Sequence, residues 1–577
     1  MTEVDQLSIG ATTSMLVDKL LRLERPQITM QMQPLLEEEE SRAVFLSYLL
    51  SPKDLEEDSI KQSYWISKLL SEDIIAAKVM TKTYDSRFVS TLLSCFRAGA
   101  PCHIPHVAVI LSALLRGCND VVTSILTEST SSCLVHFTAL CEFADVPMVS
   151  GLIQDTVCLP APLPGHPSVP CSPELQQMLK QRLAECDVWS VFVSIIVSSD
   201  VTISKSIAAA DCLMSSLKRA AVSPHAEPLA KSLADSASRL VANLLSHCHE
   251  TLIHSRETPA NENEVTRLGL CIDSLLSLLE WTKPPTVDAP STASYQSFGG
   301  SIVMRAPNVL HSAFSATLSS LVEHRVLLFD LLKRQLATTL ENPSVRHTGY
   351  ITSVPFSTTR LNLIHILHIM LVPVAPGDDV HLDLPVQVIE EIPDDLWRLL
   401  GSLFCAYPHS NLYHHVFVQI FSFVLASGSD KAVKAIIKRA KKKKKKADVG
   451  FISRCMRHYY DEDKNSSVRG HILQCLNIVR LRAQTSSIDS ALCTYLRDLQ
   501  EWREFLPKLE EETQQMCAKP ELDRPSKWGE EPQTNFGIEL GSPWAISLGF
   551  DKDLKKVVKE VEEEEEEDNE DEFRVVD

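Results

Sequence analysis

Apolar residues recur along most of the chain at the spacing of an amphipathic helix. One buried helical face needs apolar side chains at positions i, i+3, i+4, i+7 and i+8. Three segments match this template: Val107, Ile110, Leu111, Leu114 and Leu115; then Leu363, Ile366, Leu367, Met370 and Leu371; then Leu396, Leu399, Leu400, Leu403 and Phe404. The pattern predicts a helix in each segment.

The third segment and the one after it predict a pair of helices joined at residues 406–410. Pro393 followed by Asp394 or Asp395 is a start signal, because a carboxylate can accept the free amide protons of a first helical turn. Asn411 is predicted to do the same for the second helix. The apolar face expected for that helix comprises Leu412, Val416, Ile420, Phe423 and Val424.

Such helical pairs recur from about residue 40 to residue 515 at uneven spacing, without the fixed period of ankyrin or tetratricopeptide arrays. Glycine is scarce, with 18 residues, and aromatic residues make up only 6% of the chain, which disfavours sheets. The prediction is an all-α fold, an irregular HEAT- or armadillo-like helical solenoid, whose stacked pairs expose a long surface for partners. One or two globular helical domains are the alternative.

Proline, glycine and charge runs mark the expected breaks. Loops are predicted near 159–173, 283–300 and 441–446, and residues 1–13 are predicted to be a disordered N-terminus. The helical period is lost after about residue 515, so 516–577 is predicted to be a disordered, acidic C-terminal tail. The helical-repeat domain then covers residues 14–515.

Charge and cysteine usage exclude several classes of protein. Residues 551–577 hold 14 acidic and 5 basic side chains, a net −9 of the chain's formal −19, so the body is only mildly acidic. That balance argues against a nucleic-acid surface. The 16 cysteines form no C-x-x-C pair and are typical of small core residues in a reducing compartment. The polar start of the chain and the lack of an apolar run of ~18 residues predict no signal peptide and no membrane insertion. We expect a soluble protein of the cytoplasm, with the nucleus left open.

No motif of a catalytic site is present: the chain has no Gly-rich phosphate loop, no G-x-S-x-G elbow and no H-E-x-x-H helix. We therefore predict that it is not an enzyme and needs no cofactor. His247, Cys248 and His249, with His254 nearby, are residue types that bind zinc, but adjacent residues on a helix point in different directions. A solvated helix end is the favoured interpretation, and His414 and His415 are likewise interpreted as a helix-surface feature.

A dense basic block is the most unusual local feature. It comprises Lys438, Arg439, Lys441, Lys442, Lys443, Lys444, Lys445 and Lys446. Repulsion between six adjacent lysines disfavours a helix and favours an exposed loop. Three roles stay open: a nuclear-import signal, a contact for an acidic partner or for the chain's own tail, and a solvated loop without a specific role.

Several short words occur in an order that resembles one family. Near the start are Leu20 to Arg25, the acidic segment Leu35 to Glu39 and the apolar segment Phe45 to Leu50. The C-terminal half is more informative. Thr359-Arg360-Leu361 opens an apolar helix, the predicted helical pair at 394–425 follows, Arg469-Gly470-His471-Ile472 opens another helix, and Trp502-x-x-Phe505 runs into Glu512-Thr513.

This order, over about residues 14–515, resembles the SAPS-domain family, the Sit-four-associated proteins that act as regulatory subunits of protein phosphatase 6. The chain departs from the family by lacking its aromatic-rich opening segment and by carrying the lysine run. The resemblance implies a scaffold without chemistry of its own that binds a serine/threonine phosphatase catalytic subunit and directs its substrate choice. It leaves open whether a third scaffold subunit joins.

The family-like helix starts suggest where a partner would make contact. Arg360 and Asn362 lie at one such start, and Arg469 and His471 at another, since polar residues at loop-to-helix junctions are common contact sites. For Arg360 and Arg469 the alternative is solvation or pairing with neighbouring helices. Gly470 is expected to permit close helix packing. The alternative function is a helical-repeat adaptor in nuclear transport or trafficking, unrelated to phosphatases, because fold alone does not separate the two.

Overall fold

A computed structural model describes sixteen stretches of the chain. They are residues 17, 19–21, 39–50, 57–72, 86–97, 102–117, 119–159, 172–254, 261–284, 308–337, 345–346, 351–352, 356–372, 383–437, 450–461 and 468–517. The chain divides into two units, Met1–Phe505 and Leu506–Asp577. The described part of the second unit is the C-terminal portion of one helix.

Nearly all of the described residues are helical, as the apolar spacing predicts. The N-terminal helices are α1 Glu39–Leu50, α2 Glu57–Glu72, α3 Ser86–Ser94, α4 Ile104–Gly117, α5 Asn119–Thr127, α6 Thr130–Cys141, α7 Pro147–Val157, α8 Pro173–Glu185, α9 Val188–Val197, α10 Ile203–Val222, α11 Glu227–His254 and α12 Glu262–Thr282.

The C-terminal half of the described chain continues the same pattern. A 3₁₀ turn at Val309–Ala313 leads into α13 Phe314–Glu323, α14 Arg325–Ala337, α15 Thr358–Leu371, α16 Asp383–Glu391, α17 Asp394–Ala406, α18 Asn411–Ala426, α19 Asp430–Ile437, α20 Phe451–Asp461, α21 Val468–Thr485, α22 Ala491–Asp498 and α23 Gln500–Cys517. Between α14 and α15 lies a two-stranded antiparallel ladder, β1 Val345–Arg346 and β2 Ile351–Thr352, with Val345 opposite Thr352.

The helices of the first unit stack in two rows. In row 1 each helix packs on the next one named: α2, α4, α7, α10, α12, α15, α18 and α21. In row 2 the same holds for α3, α5, α8, α11, α14, α17 and α20. From α11 onward, every row 2 helix packs against the row 1 helix that follows it in the sequence. This arrangement is an all-α solenoid with irregular repeats, and the fold prediction is confirmed.

The core lies between the two rows and is mostly aliphatic. A cluster of aromatic rings closes its C-terminal part, where Phe451 of α20 lies edge-on to Phe404 and Phe421 with ring centroids 5.7 and 5.3 Å apart. Edge-to-face pairs of this kind add to the burial of the rings. Gly401 makes room for the cluster, because a Cβ atom there would lie 3.0 Å from the Phe451 ring.

The predicted apolar faces are confirmed on α4 and α15, where every residue of the two sets is buried. The prediction for α18 is wrong in part, since Leu412 is 71% exposed, while Tyr413, Phe417 and Phe421 are buried. The reason is that α18 packs on α15, α17 and α21 at once. A helix with neighbours on three sides buries a wider arc than one stripe.

The predicted start signal of α17 is confirmed, because the Asp395 carboxylate accepts the Leu396 amide proton in the first turn at 3.1 Å. The predicted start signal of α18 is wrong: Asn411 is already the first helical residue, and Ser410 before it makes no side-chain capping hydrogen bond. Elsewhere polar caps do form: Ser357 accepts the Arg360 amide proton at the start of α15, and Ser172 accepts that of Leu175 at the start of α8.

The predicted breaks fall between helices or outside the described residues. The chain leaves α7 at Val157 and enters α8 at Pro173, and α12 ends at Thr282. Residues 1–13, 160–171, 285–307 and 438–449, which include the lysine run, lie outside the described residues, as does 518–577. Helix α23 runs to Cys517, two residues into the segment predicted to be tail.

Candidate functional site

A buried carboxylate joins three successive helices of row 1. The Asp155 side chain on α7 is 3% exposed and accepts hydrogen bonds from Arg116 of α4 at 3.0 Å and Arg219 of α10 at 2.8 Å. Charge-assisted hydrogen bonds from two guanidinium groups compensate the loss of carboxylate hydration. This contact orders the N-terminal half of row 1. Both arginines remain partly exposed on its surface.

A second polar contact continues along the row at Asn362, one of the predicted partner contacts. Its Nδ2 donates to Asp273 Oδ1 of α12 at 2.7 Å. Burial raises the pKa of the Asp273 carboxyl. Asn362 is half-buried, so one side of the amide joins α12 to α15 and the rest faces the surface.

Arg360 lies inside the protein. Its side chain is 2% exposed, and it donates from Nε to the Gln335 carbonyl and from Nη1 to the Tyr407 hydroxyl, each at 3.1 Å. It therefore joins α14, α15 and the turn after α17. This burial argues against the predicted partner contact at Arg360, and pairing with neighbouring helices describes its geometry.

Arg469 also pairs within the chain. Its guanidinium lies over the Tyr459 ring, 3.8 Å from the centroid, and Nη1 donates to the Tyr459 carbonyl at 2.7 Å. A cation stacked on an aromatic face stabilises the entry into α21. The expectation for Gly470 is wrong: it is exposed, and no atom lies within 4 Å of where its Cβ would be, so it does not serve close helix packing.

His471, the fourth predicted contact, belongs to a cluster of imidazoles on three neighbouring helices of row 1. We call it the histidine cluster: His365 and His368 on α15, His415 on α18 and His471 on α21. Burial lowers the pKa of His365 and His471 and lowers that of His368 to about 4, where Lys283, His365 and His415 add repulsion. His365, His368 and His471 are therefore held mainly neutral near pH 7.

Two features of the histidine cluster leave polar atoms without partners. His368 is 8% exposed, and neither of its ring nitrogens has a hydrogen-bond partner among the described residues. The same is true of Nδ1 of His471. The remaining members are paired, since His365 Nδ1 lies 3.5 Å from Glu280 and His415 Nε2 lies 3.3 Å from Gln419 Nε2.

An apolar groove of about 370 Å³ adjoins this cluster between α18 and α21. We call it the α18–α21 groove; it is lined by Val372, Val418, Gln419, Ser422, Phe423, Ala426, Gln474 and Ile478. No lining side chain is charged. Gln419 touches both features, because it lines the groove and contacts His415.

Sequence reasoning named His471 as a partner contact and His415 as a helix-surface residue, but it did not name His365 and His368. The signal that was available is the spacing of polar residues by three or four positions: His365 with His368, His415 with Gln419, and His471 with Gln474. Each pair lies on one helix face. That the three faces adjoin became visible only with the pairing of the helices.

One buried pair resembles part of a hydrolytic site. Ser63 Oγ of α2 and His106 Nδ1 of α4 are 2.8 Å apart. The serine is 1% exposed and the histidine 9%, and burial lowers the pKa of His106 to about 4. A hydroxyl enclosed in this way is not reachable by a substrate, so the pair satisfies its own hydrogen bonds in the interface between two helices.

The cysteine and histidine side chains of α11 pack against neighbouring residues. Cys248 is buried, and His249 Nε2 lies 3.0 Å from Asp330 Oδ2 of α14. Among the residues that the structure describes, no three His, Cys, Asp or Glu side chains are placed to share a metal ion. Within the same residues, every helix falls short of the length and apolarity needed to cross a bilayer.

The chain resembles solved structures at low sequence identity and matches no known family. No family model matches the chain, and no curated protein does. Among solved structures, the crystal structure of Uso1-2 is 12% identical, with 86% of this chain and 72% of that one covered, at a TM-score of 0.35. The crystal structure of SYS-1 is 11% identical, with 83% and 82% covered, at a TM-score of 0.27.

A third solved structure, Kap121p bound to Pho4p, is 12% identical, with 86% of this chain and 59% of that chain covered, at a TM-score of 0.21. Likeness at these levels carries no inference about function. The ladder of helix contacts in the two rows is what defines the solenoid.

Proposed function

We propose that this chain is a non-catalytic regulatory scaffold that binds the catalytic subunit of a serine/threonine phosphatase of the protein phosphatase 6 type and directs its choice of substrate. The observation that supports it is the uninterrupted row 1, in which eight helices from α2 to α21 offer one extended surface. The order of SAPS-like words over residues 14–515 is what supports a phosphatase as the proposed partner.

A scaffold of this kind needs no catalytic residue. By holding the phosphatase and a substrate at the same time, it raises the local concentration of that substrate at the active site. It also discriminates against substrates that do not fit its surface. The polar groups described on row 1, such as Asn362 and His471, are suited to such selection because they are only partly buried.

The proposal includes a location, the cytoplasm and also the nucleus, for which the lysine run would be the import signal. Deletion of Lys441 to Lys446 tests that part by itself. When the deleted chain is fused to a fluorescent protein, we expect the fusion to lose its nuclear fraction. An unchanged distribution would remove the import role.

The main test is purification of the tagged full chain from its own cells, with mass spectrometry and an okadaic-acid-sensitive phosphatase assay on the eluate. A near-stoichiometric phosphatase catalytic subunit with activity is expected. A transport or coat component in its place would refute the phosphatase and favour the adaptor function. Asn362→Ala should reduce the recovered phosphatase, whereas Val326→Ala, at a 70% exposed position on row 2, is the matched control.

A further inference from the structure

The α18–α21 groove has two chemically different parts. Its floor and walls are uncharged and mostly apolar, with Phe423 and Ile478 the largest side chains. Its volume is about 370 Å³, and it is an open groove and not an enclosed cavity. Val372 and Gln419 place the histidine cluster at one end, because the Val372 amide closes the helical turn that starts at His368.

The opposite end of the groove carries a guanidinium. Arg482 lies on α21 one turn beyond Ile478 and donates from Nη2 to the carbonyl of Ala426, which lines the groove, at 2.9 Å. Its Nε has no hydrogen-bond partner among the described residues. The groove therefore lies between an imidazole group and a guanidinium group.

A lysine and a carboxylate lie at the cluster end, and the imidazoles there add positive charge only when they are protonated. Lys283 of α12 is near enough to His365 and His368 to oppose their protonation, and His415 opposes that of His471. Glu280 is the carboxylate on this face, and it is already paired with His365. A further anion is therefore attracted to Lys283, and to the half-buried imidazole of His471 once it is protonated.

We infer that the α18–α21 groove binds a short extended segment of a protein partner in which a large apolar side chain lies close to an acidic residue. The apolar side chain fills the space between Phe423 and Ile478. The carboxylate contacts the histidine cluster or Arg482, which supplies the charge complementarity. From Gln474 to Arg482 the helix rises ~12 Å, a distance that an extended segment spans with about four residues.

This inference rests on the binding-scaffold part of the proposed function and not on the phosphatase. Because a bound carboxylate raises the proton affinity of the imidazoles that face it, binding takes up protons and tightens as the pH falls from 7.5 to 6.0.

The probe is a set of fluorescein-labelled octapeptide pools, measured by fluorescence anisotropy against the purified full chain. In each pool one position is fixed as Glu, Gln or Lys, and a second position two residues away is fixed as Leu, Phe or Ser. Pools are made with either of these two positions first in the sequence. The remaining positions are mixtures of Gly, Ser and Ala. Pools with Glu and either apolar residue should bind about tenfold tighter than those with Gln. Pools with Lys or with Ser should not saturate.

Variants of the full chain separate the two halves of the site. Ile478→Asp should abolish binding, whereas Val326→Asp, a charge placed on row 2, should leave it unchanged. His471→Ala should keep the preference for Leu over Ser but weaken the preference for Glu over Gln and its increase at pH 6.0. Circular dichroism establishes that each variant is folded.

Equal binding of all pools, saturation by none, or binding that survives Ile478→Asp would overturn the inference. The result is independent of the purification experiment. If the peptides bind as expected and no phosphatase co-purifies, the groove stands and the phosphatase proposal fails. If a phosphatase co-purifies and no pool binds, the reverse holds.

Discussion

Arg267 of α12 offers a stringent test of how the solenoid is held together. Its side chain is 7% exposed and reaches across to the connection between α9 and α10. Nη1 donates to the Ile196 carbonyl at 3.1 Å and to the Ser206 hydroxyl at 2.8 Å, and it also contacts the Ser198 carbonyl. Nη2 donates to the Val201 carbonyl at 2.9 Å. One guanidinium therefore satisfies acceptors at the end of α9, in the turn and in α10.

Replacement by alanine removes all these donors at once. The Ile196 carbonyl and the Ser206 hydroxyl are in buried contacts and would lose a partner, at about 1–3 kcal/mol each. The acceptors nearer the surface are rehydrated and cost less. Removal of a buried positive charge offsets part of the loss. We therefore expect Arg267→Ala to destabilise this connection by about 3 kcal/mol.

Hydrogen exchange followed by mass spectrometry measures that loss locally, which matters because unfolding of a long helical repeat is not a single transition. Amides in 196–206 should exchange about a hundredfold faster in the variant, since 1.4 kcal/mol corresponds to about tenfold. The matched control is Arg239→Ala, which breaks the exposed ion pair with Asp187 and should cost less than about 1 kcal/mol. Unchanged exchange in 196–206 would show that Arg267 does not hold the connection.

Three further changes test other parts of the structure. In Gly450→Ala the added Cβ would lie 2.5 Å from the Tyr495 hydroxyl and 2.6 Å from the Ile437 carbonyl. The midpoint of thermal unfolding should therefore fall by the equivalent of about 1–3 kcal/mol. An unchanged midpoint would contradict this packing. His368 has a folded-state pKa of about 4, below its ordinary value of 6.5, so its contribution to stability is constant above pH 6.5 and declines as the pH falls towards 4, by up to about 3 kcal/mol. Denaturant titrations at several pH values should therefore show a shallower acid loss in His368→Phe, and identical slopes would refute the assignment. Asp155→Ala should cost about 2 kcal/mol in urea unfolding, more than an exposed ion pair does, because its carboxylate is buried while its two arginines can be rehydrated.

The sequence alone predicts the class of fold and most helices, because burial of one helical face requires apolar residues at a regular spacing. Helices α4 and α15 bury the residues that their spacing predicts. The predicted set of buried residues is less accurate where a helix has neighbours on three sides. On α18 the expected stripe included Leu412 and omitted Tyr413, Phe417 and Phe421, since a period of 3.6 residues locates one face and not the width of the buried arc.

Polar residues were predicted less well, for a physical reason. An arginine at a helix start has the same sequence context whether it faces solvent or a buried carbonyl. Arg360 was expected to contact a partner, to be solvated or to pair with neighbouring helices, and it lies in the core, whereas Asn362, two positions later, is partly exposed. The difference depends on Gln335 and Tyr407, which are 25 and 47 residues away along the chain. No local pattern encodes such distances.

These long-range polar contacts also explain how an irregular solenoid keeps one register. Aliphatic faces tolerate sliding of one helix along another, because leucine and isoleucine can repack with little loss. Hydrogen-bonded contacts do not, since a slip of one turn moves a side chain by ~5.4 Å and breaks them. Asp155 fixes α7 against α4 and α10, Arg267 fixes α12 against the start of α10, and Asn362 fixes α15 against α12. Past α15 the polar side chains of row 1 turn to the histidine cluster, where nitrogen atoms are left without partners. Polar contacts thus fix row 1 from α4 to α15, and on α21 Arg482 continues them through its hydrogen bond to the Ala426 carbonyl of α18 at 2.9 Å.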